Sequence, residues 1–194
     1  MISSNSDLSI VIVPGLHNSS QEHWQSIWER KLPNAVRVQQ RDWSIPKKDE
    51  WVDSLSQLIK KTQGPIVLVA HSLGCLTVSH LDAEASQKVS AALLVAPANP
   101  ERLSTFHTFT PVPFQKLSFH SILVSSTSDP YCPSRLASAF ARSWGSELIR
   151  LNNVGHINVE SGHGHWPLGW GILNGLCEQI QEKNSTQNNL ERIN

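Results

Sequence analysis

The sequence predicts an α/β protein: one mostly parallel sheet of six strands with helices on both faces. Three observations lead there. Short apolar runs bounded by turn residues alternate with segments whose apolar residues recur at helical spacing, the pattern of a parallel sheet wound with helices. The run at residues 66–70 is apolar throughout, as expected of a central strand covered on both faces. The polar residues that stand out, His17, Ser72, Asp129 and His156, each follow a predicted strand. Ligands of open parallel sheets bind beyond those C-terminal strand ends.

Taken in order, residues 10–13 form the first strand, and Pro14-Gly15-Leu16-His17-Asn18 is the loop after it. Ser19 and Glu22 have the spacing of a capping box, and Trp24, Ile27 and Trp28 give the first helix its apolar stripe. Residues 35–39 read as a short second strand. Trp51, Leu55, Leu58 and Ile59 share one face of the second helix, which Gly64-Pro65 ends. The central strand follows, then a helix expected to reach Glu84, then a fourth strand at 91–95. Pro97, Pro100, Pro111 and Pro113 break the stretch 96–119, which predicts a long loop with at most one helical turn. A fifth strand at 121–125 ends at Ser128-Asp129-Pro130, and Pro133 opens a helix carrying Leu136, Phe140 and Trp144. A sixth strand at 147–151 leads to Gly155-His156, and a last helix runs from Pro167 to Gln181. Residues 1–181 are expected to be one domain and 182–194 a polar, frayed tail.

Composition narrows the function classes. Sixteen basic residues balance sixteen acidic ones, which gives no electrostatic case for binding nucleic acid or an anionic membrane. The three cysteines are scattered and odd in number, which suits reduced thiols and a cytoplasmic location rather than a disulfide framework. Residues 1–9 carry no recognisable targeting segment, and no apolar run approaches the ~20 residues of a membrane span. Seven tryptophans against one tyrosine read first as core packing.

The chemistry centres on Ala70-His71-Ser72-Leu73-Gly74, which differs in one position from the G-x-S-x-G nucleophile elbow. There a sharp strand-to-helix turn lifts a serine above the sheet, and flanking positions must be small. Gly74 meets that need, and Ala70 exceeds it by a methyl. The plainer reading makes Ser72 a helix cap. A serine hydroxyl becomes a useful nucleophile when an imidazole takes its proton and a carboxylate orients the imidazole. Ser72, Asp129 and His156 occur in the chain order this fold uses, at successive strand ends. The oxyanion hole then needs two backbone N–H groups: Leu73, and Leu16 or His17 in the first loop. His156, His163 and His165 cluster with Glu160, but their spacing fits no zinc motif, so no metal and no cofactor is expected. His71 is expected to point away from its neighbour Ser72, and His17 to face substrate.

Four segments extend this reading: Val-Pro-Gly-Leu-His-Asn-Ser-Ser-Gln-Glu-His-Trp from Val13, Ala-His-Ser-Leu-Gly-Cys from Ala70, Ser-Asp-Pro-Tyr-Cys from Ser128 and Gly-His-Ile-Asn-Val-Glu-Ser-Gly from Gly155. They resemble the bacterial branch of the small α/β-hydrolases related to retinoblastoma-binding protein 9. The resemblance covers residues 10–177 and implies a serine hydrolase with nucleophile Ser72, orienter Asp129 and base His156. It also implies a minimal α/β-hydrolase sheet in the order 2-1-3-4-5-6 with no cap domain. The function expected is cleavage of small acyl esters through an acyl-enzyme. The alternative is a protein-binding module on a hydrolase scaffold. Without a cap, the pocket should be shallow, bordered by Leu16, His17, Trp43, the Phe106 to Phe114 loop with Phe109 as its named contact, and Trp166, and selective for short acyl groups.

Overall fold

Strand β3, Ile66–His71, lies at the centre of the sheet with every residue buried. The computed structural model describes residues 8–191; residues 1–7 and 192–194, with part of the expected N-terminal lead and tail, lie outside the described residues. Around β3 stand β1 (Ser9–Val13), β2 (Ala35–Arg37), β4 (Val89–Val95), β5 (His120–Ser126) and β6 (Glu147–Leu151). The order is β2-β1-β3-β4-β5-β6, and every pairing is parallel. Val13 pairs with Ala70, so β1 and β3 end side by side while their chains leave toward opposite faces. The crevice opened there is where such sheets place ligands.

Alternation along the strands divides the core in two. Val11, Val13, Leu68, Ala70 and Leu94 face one cluster, built with α2 (Lys48–Lys61), α3 (Leu73–Ser79), α4 (Ala83–Gln87) and α5 (Ser134–Trp144). Ile10, Ile12, Val67, Val69 and Leu93 face the other, built with α1 (Trp24–Lys31) and α6 (Pro167–Glu191). Trp28 and Trp166 stack in this second cluster with centroids 5.9 Å apart. No helix among the described residues is long and apolar enough to cross a membrane.

Several element ends differ from expectation for local reasons. Ser19 forms no capping box: its Oγ donates to Gln25 Oε1 at 2.6 Å, and α1 starts later, where His23 Nδ1 accepts from Gln25 N. Strand β2 stops at Arg37, two residues early. The helix expected to reach Glu84 breaks after Ser79, and Asp82 caps a separate α4 through Ala85 N. The stretch 96–119 holds a six-residue 3-10 helix, Ser104–Phe109, about two turns long rather than the single turn expected. Helix α6 continues past Gln181 to Glu191. Apolar periodicity follows the buried face, and Ile180 is its last member among the residues whose burial is described. Gln181, Glu182 and Lys183, which come next, are good helix formers whose propensity needs no apolar face.

Candidate active site

At the end of β3 the chain turns through Ser72 with φ 55° and ψ −120°. A side chain rarely adopts this backbone outside functional sites. Ser72 N donates to Val95 O at 3.0 Å, which ties the turn to β4. Ser72 occupies the N-cap position of α3, but its side chain makes no cap hydrogen bond. Its Oγ lies 3.0 Å from His156 Nε2 instead. The tightness of the elbow comes from β1. A methyl on Gly74 would lie 2.2 Å from Val13 O, and one on Gly15 2.8 Å from Ser72 Cβ. These two glycines let the loop after β1 rest directly on the Ser72 turn.

Asp129 and His156 come from the loops after β5 and β6. Ser126 Oγ accepts from Val154 N and Ser128 Oγ accepts from Gly155 N, which stitches the two loops together. His156 Nδ1 lies 3.0 and 2.9 Å from the two Asp129 oxygens. Their side chains are only 8% and 3% exposed, so solvent screens the pair little. Asp129 Oδ1 also accepts from Tyr131 N at 2.8 Å. The Asp-Pro turn and the histidine contact are therefore one arrangement. The structure thus brings together Ser72, His156 and Asp129 in a continuous hydrogen-bonded line.

The Leu16 and Leu73 amides have no acceptor among the described residues. His17 N is already engaged, donating to Trp43 O at 2.8 Å. Of the two first-loop candidates, that leaves the Leu16 N–H free. A cleft of about 460 Å³ opens above Ser72, lined by Leu16, His17, Asn99, Arg102, Phe106 and Tyr131 among others.

Three expected pocket residues stand elsewhere. Trp43 packs on Trp51 at 5.5 Å and buttresses His17 only through its carbonyl. Phe109 is fully buried against Trp51 and His80. Trp166 is 5% exposed and packs between Trp24 and Trp28. Burial on the sheet faces takes these rings, and Phe106 of the same loop supplies the cleft's aromatic wall. Phe106 lies within the loop expected to border the pocket, whereas Tyr131 went unforeseen; its ring meets the His156 ring edge-on at 4.6 Å. Gln25 was equally silent in sequence. Wholly buried, its Nε2 donates to Val13 O and Val69 O, joining β1 to β3 just below the site. Arg37 braces the first loop from the side, donating to Asn18 Oδ1 and Ser19 O.

Burial dominates the electrostatics below the cleft. It lowers the pKa of His23 to about 3, with Arg37 adding to the effect. It also holds His71 well below the usual histidine range, assisted by His156 and His23. Both rings are neutral at physiological pH. The Cys75 thiol is pushed up by burial and is inert as a nucleophile. Among the described residues no group of three or more His, Cys, Asp or Glu could hold a metal ion; His163 Nδ1 instead pairs with Ser161 Oγ.

Residues 10–175 match the sequence model of the family described as Serine hydrolase. This chain belongs to the serine hydrolase family. The crystal structure of a YdeN-like hydrolase from Pectobacterium atrosepticum superposes on this serine hydrolase with a TM-score of 0.82 at 35% identity, covering 89% of this chain and 92% of that one. The hydrolase YdeN of Bacillus subtilis is 25% identical over 180 residues, which cover 84% of this chain and 93% of YdeN. Est1E of Butyrivibrio proteoclasticus, solved with ferulic acid, shares the fold at a TM-score of 0.67 and 13% identity, covering 95% of this chain and 92% of that one.

Proposed function

We propose that this serine hydrolase cleaves small carboxylic esters through an acyl-enzyme on Ser72. The observation that carries the reading is the line Asp129–His156–Ser72, with contacts of 2.9 and 3.0 Å. A carboxylate beside Nδ1 favours the tautomer protonated there, which leaves Nε2 free to accept the Ser72 proton. Ser72 Oγ then bonds to the ester carbonyl carbon while its proton passes to Nε2. The carbonyl electrons move onto oxygen, and the Leu16 and Leu73 N–H groups donate to that oxyanion. Collapse of the intermediate breaks the bond to the alcohol, which leaves with the proton from Nε2. Water next attacks the acyl-enzyme, giving its proton to the same nitrogen, and the acid departs as Ser72 recovers its hydrogen. Asp129 stays ionised throughout and stabilises the imidazolium formed in each half.

The cleft supports a short acyl group. Among the described residues no cap domain covers it, and Leu103 and Tyr131 on its rim are 37% and 38% exposed. Each added CH₂ gains its ~0.8 kcal/mol only where it is buried. The motif likeness to retinoblastoma-binding protein 9 belongs with this reading and adds no substrate to it. A fluorophosphonate probe read by peptide mass spectrometry tests the proposal. A single adduct on Ser72 is expected in folded protein. An unlabelled Ser72 would overturn it and favour a binding role on a hydrolase scaffold.

A further inference from the structure

The residue that follows His156 has an unusual backbone. Ile157 has φ 52°, and it is fully buried. A β-branched residue is a conformational outlier there, and such geometry persists only when its surroundings over-determine it. Two buried donors do so. His71 Nε2 lies 3.0 Å from His156 O. Trp24 Nε1 donates to Ile157 O at 2.8 Å. Successive carbonyls of the His156 loop are thus each held by a ring N–H from below.

The two rings form one packed unit. Trp24 meets His71 edge-on at 5.8 Å, and His71 lies 4.8 Å from the His156 ring and 4.9 Å from His23. A carbonyl can only accept, so His71 must carry its proton on Nε2. Burial keeps the ring neutral, so it fulfils this role without placing a cation beside His156. His71 also adjoins Ser72 in sequence, on the rigid end of β3. The group that steadies the base is therefore built into the strand that delivers the nucleophile.

We propose that His71 and Trp24 are positioning residues: a two-point clamp on the His156 and Ile157 carbonyls that sets the distance from His156 Nε2 to Ser72 Oγ. The proposal rests on the serine-nucleophile reading for its effect on rate, but not for the clamp itself. Trp24 does not line the cleft, and His71, which does, spends its Nε2 on the His156 carbonyl rather than on Ser72 Oγ or His156 Nε2.

The test compares His71→Gln with His71→Leu. Glutamine can place an amide N–H where Nε2 stands, whereas leucine fills similar space with no donor. Trp24→Phe removes the second donor and keeps a ring, and it carries the test if His71→Leu does not fold. Two readouts apply to each folded variant: the labelling rate of Ser72 by a fluorophosphonate, and the downfield Nδ1–H proton resonance of His156, which reports its bond to Asp129 without turnover. His71→Leu and Trp24→Phe should each slow labelling by about tenfold to a hundredfold, as expected for a base displaced by a fraction of an ångström to one ångström, and broaden or abolish the resonance. His71→Gln should restore both. A folded His71→Leu or Trp24→Phe variant with wild-type labelling and a sharp resonance would overturn the clamp, as would a glutamine variant no better than leucine. A wild-type protein that shows the resonance but is never labelled would refute the acyl-enzyme reading, and the resonance in the variants would still decide the clamp.

Discussion

Replacing Asp129 by asparagine should cripple turnover and leave the fold intact. Both carboxylate oxygens face His156 Nδ1, and one of them also holds the turn. Oδ1 accepts from Tyr131 N at 2.8 Å, a bond that an asparagine Oδ1 can keep. Oδ2 is the acceptor nearest His156 Nδ1, at 2.9 Å. In the variant an NH₂ group stands in that place, and the one oxygen left near Nδ1, at 3.0 Å, is uncharged and shared with Tyr131 N, so the amide favours an imidazole that accepts at Nδ1. The imidazole responds by moving its proton to Nε2. It then donates to Ser72 Oγ at the contact now measured at 3.0 Å and can no longer accept from it. With the Asp129 side chain 3% exposed, little water can enter to restore the lost acceptor. Loss of tautomer control costs about three to four orders of magnitude in kcat, on the order of 4–5.5 kcal/mol of transition-state stabilisation. The assay is kcat and KM on p-nitrophenyl acetate, with Tm measured alongside. Activity within tenfold of wild type in a folded Asp129→Asn protein would refute this role for Asp129.

Three further outcomes follow from the same geometry. Gly74→Ala puts a methyl 2.2 Å from Val13 O and 2.8 Å from Pro14 O, backbone atoms that cannot swing aside. It should cost at least the ~1–3 kcal/mol of an overpacked site, so an unchanged urea midpoint would contradict the close crossing. Acid should destabilise the protein through His23 and His71, whose pKa values burial depresses in the folded state, that of His23 to about 3. Below the ordinary histidine value near 6.5 the unfolded chain binds protons that the native chain refuses. Stability should therefore fall by about 1.4 kcal/mol per pH unit for each ring. Urea unfolding from pH 7.5 to 4.5 measures the slope, and His23→Asn, which keeps a cap acceptor for Gln25 N, should reduce it; a slope unchanged in that variant would remove His23 from the account. In a p-nitrophenyl ester series, kcat/KM should be highest for acetyl or butyryl groups, and steady gains beyond about eight carbons would reveal a deep acyl tunnel that the open cleft does not offer.

Much of this protein was legible along the chain, because the signals concerned are local. Strand β6 was placed at Glu147–Leu151 by its turn-bounded run, and α5 by Pro133 before it and Gly145, at φ 70°, after it. The elbow announces itself because a serine at a strained turn requires small neighbours within two residues. Ser72, Asp129 and His156 could be singled out because each stands just past a strand, and parallel topology sends all strand ends to one edge of the sheet. Helix starts were less legible, since capping depends on which side chain wins the exposed N–H groups. Ser19 was drawn to Gln25, and His23 became the cap.

What tertiary structure alone decided is which side of the sheet each ring joins and which distant groups meet. Trp43, Phe109 and Trp166 are as apolar as pocket walls should be, and nothing local separates a ring that seals a core from one that lines a cleft. Only the packing of α1, α2 and α6 sends them inward and leaves Phe106 and Tyr131 at the site. The same holds for the contact of His71 with the His156 carbonyl, across 85 residues of chain. A carbonyl has no side-chain identity, so no sequence pattern marks it as a partner. It finds its donor because parallel pairing brings the ends of β3 and β6 to the same edge of one sheet, and the loops there have nowhere else to fold.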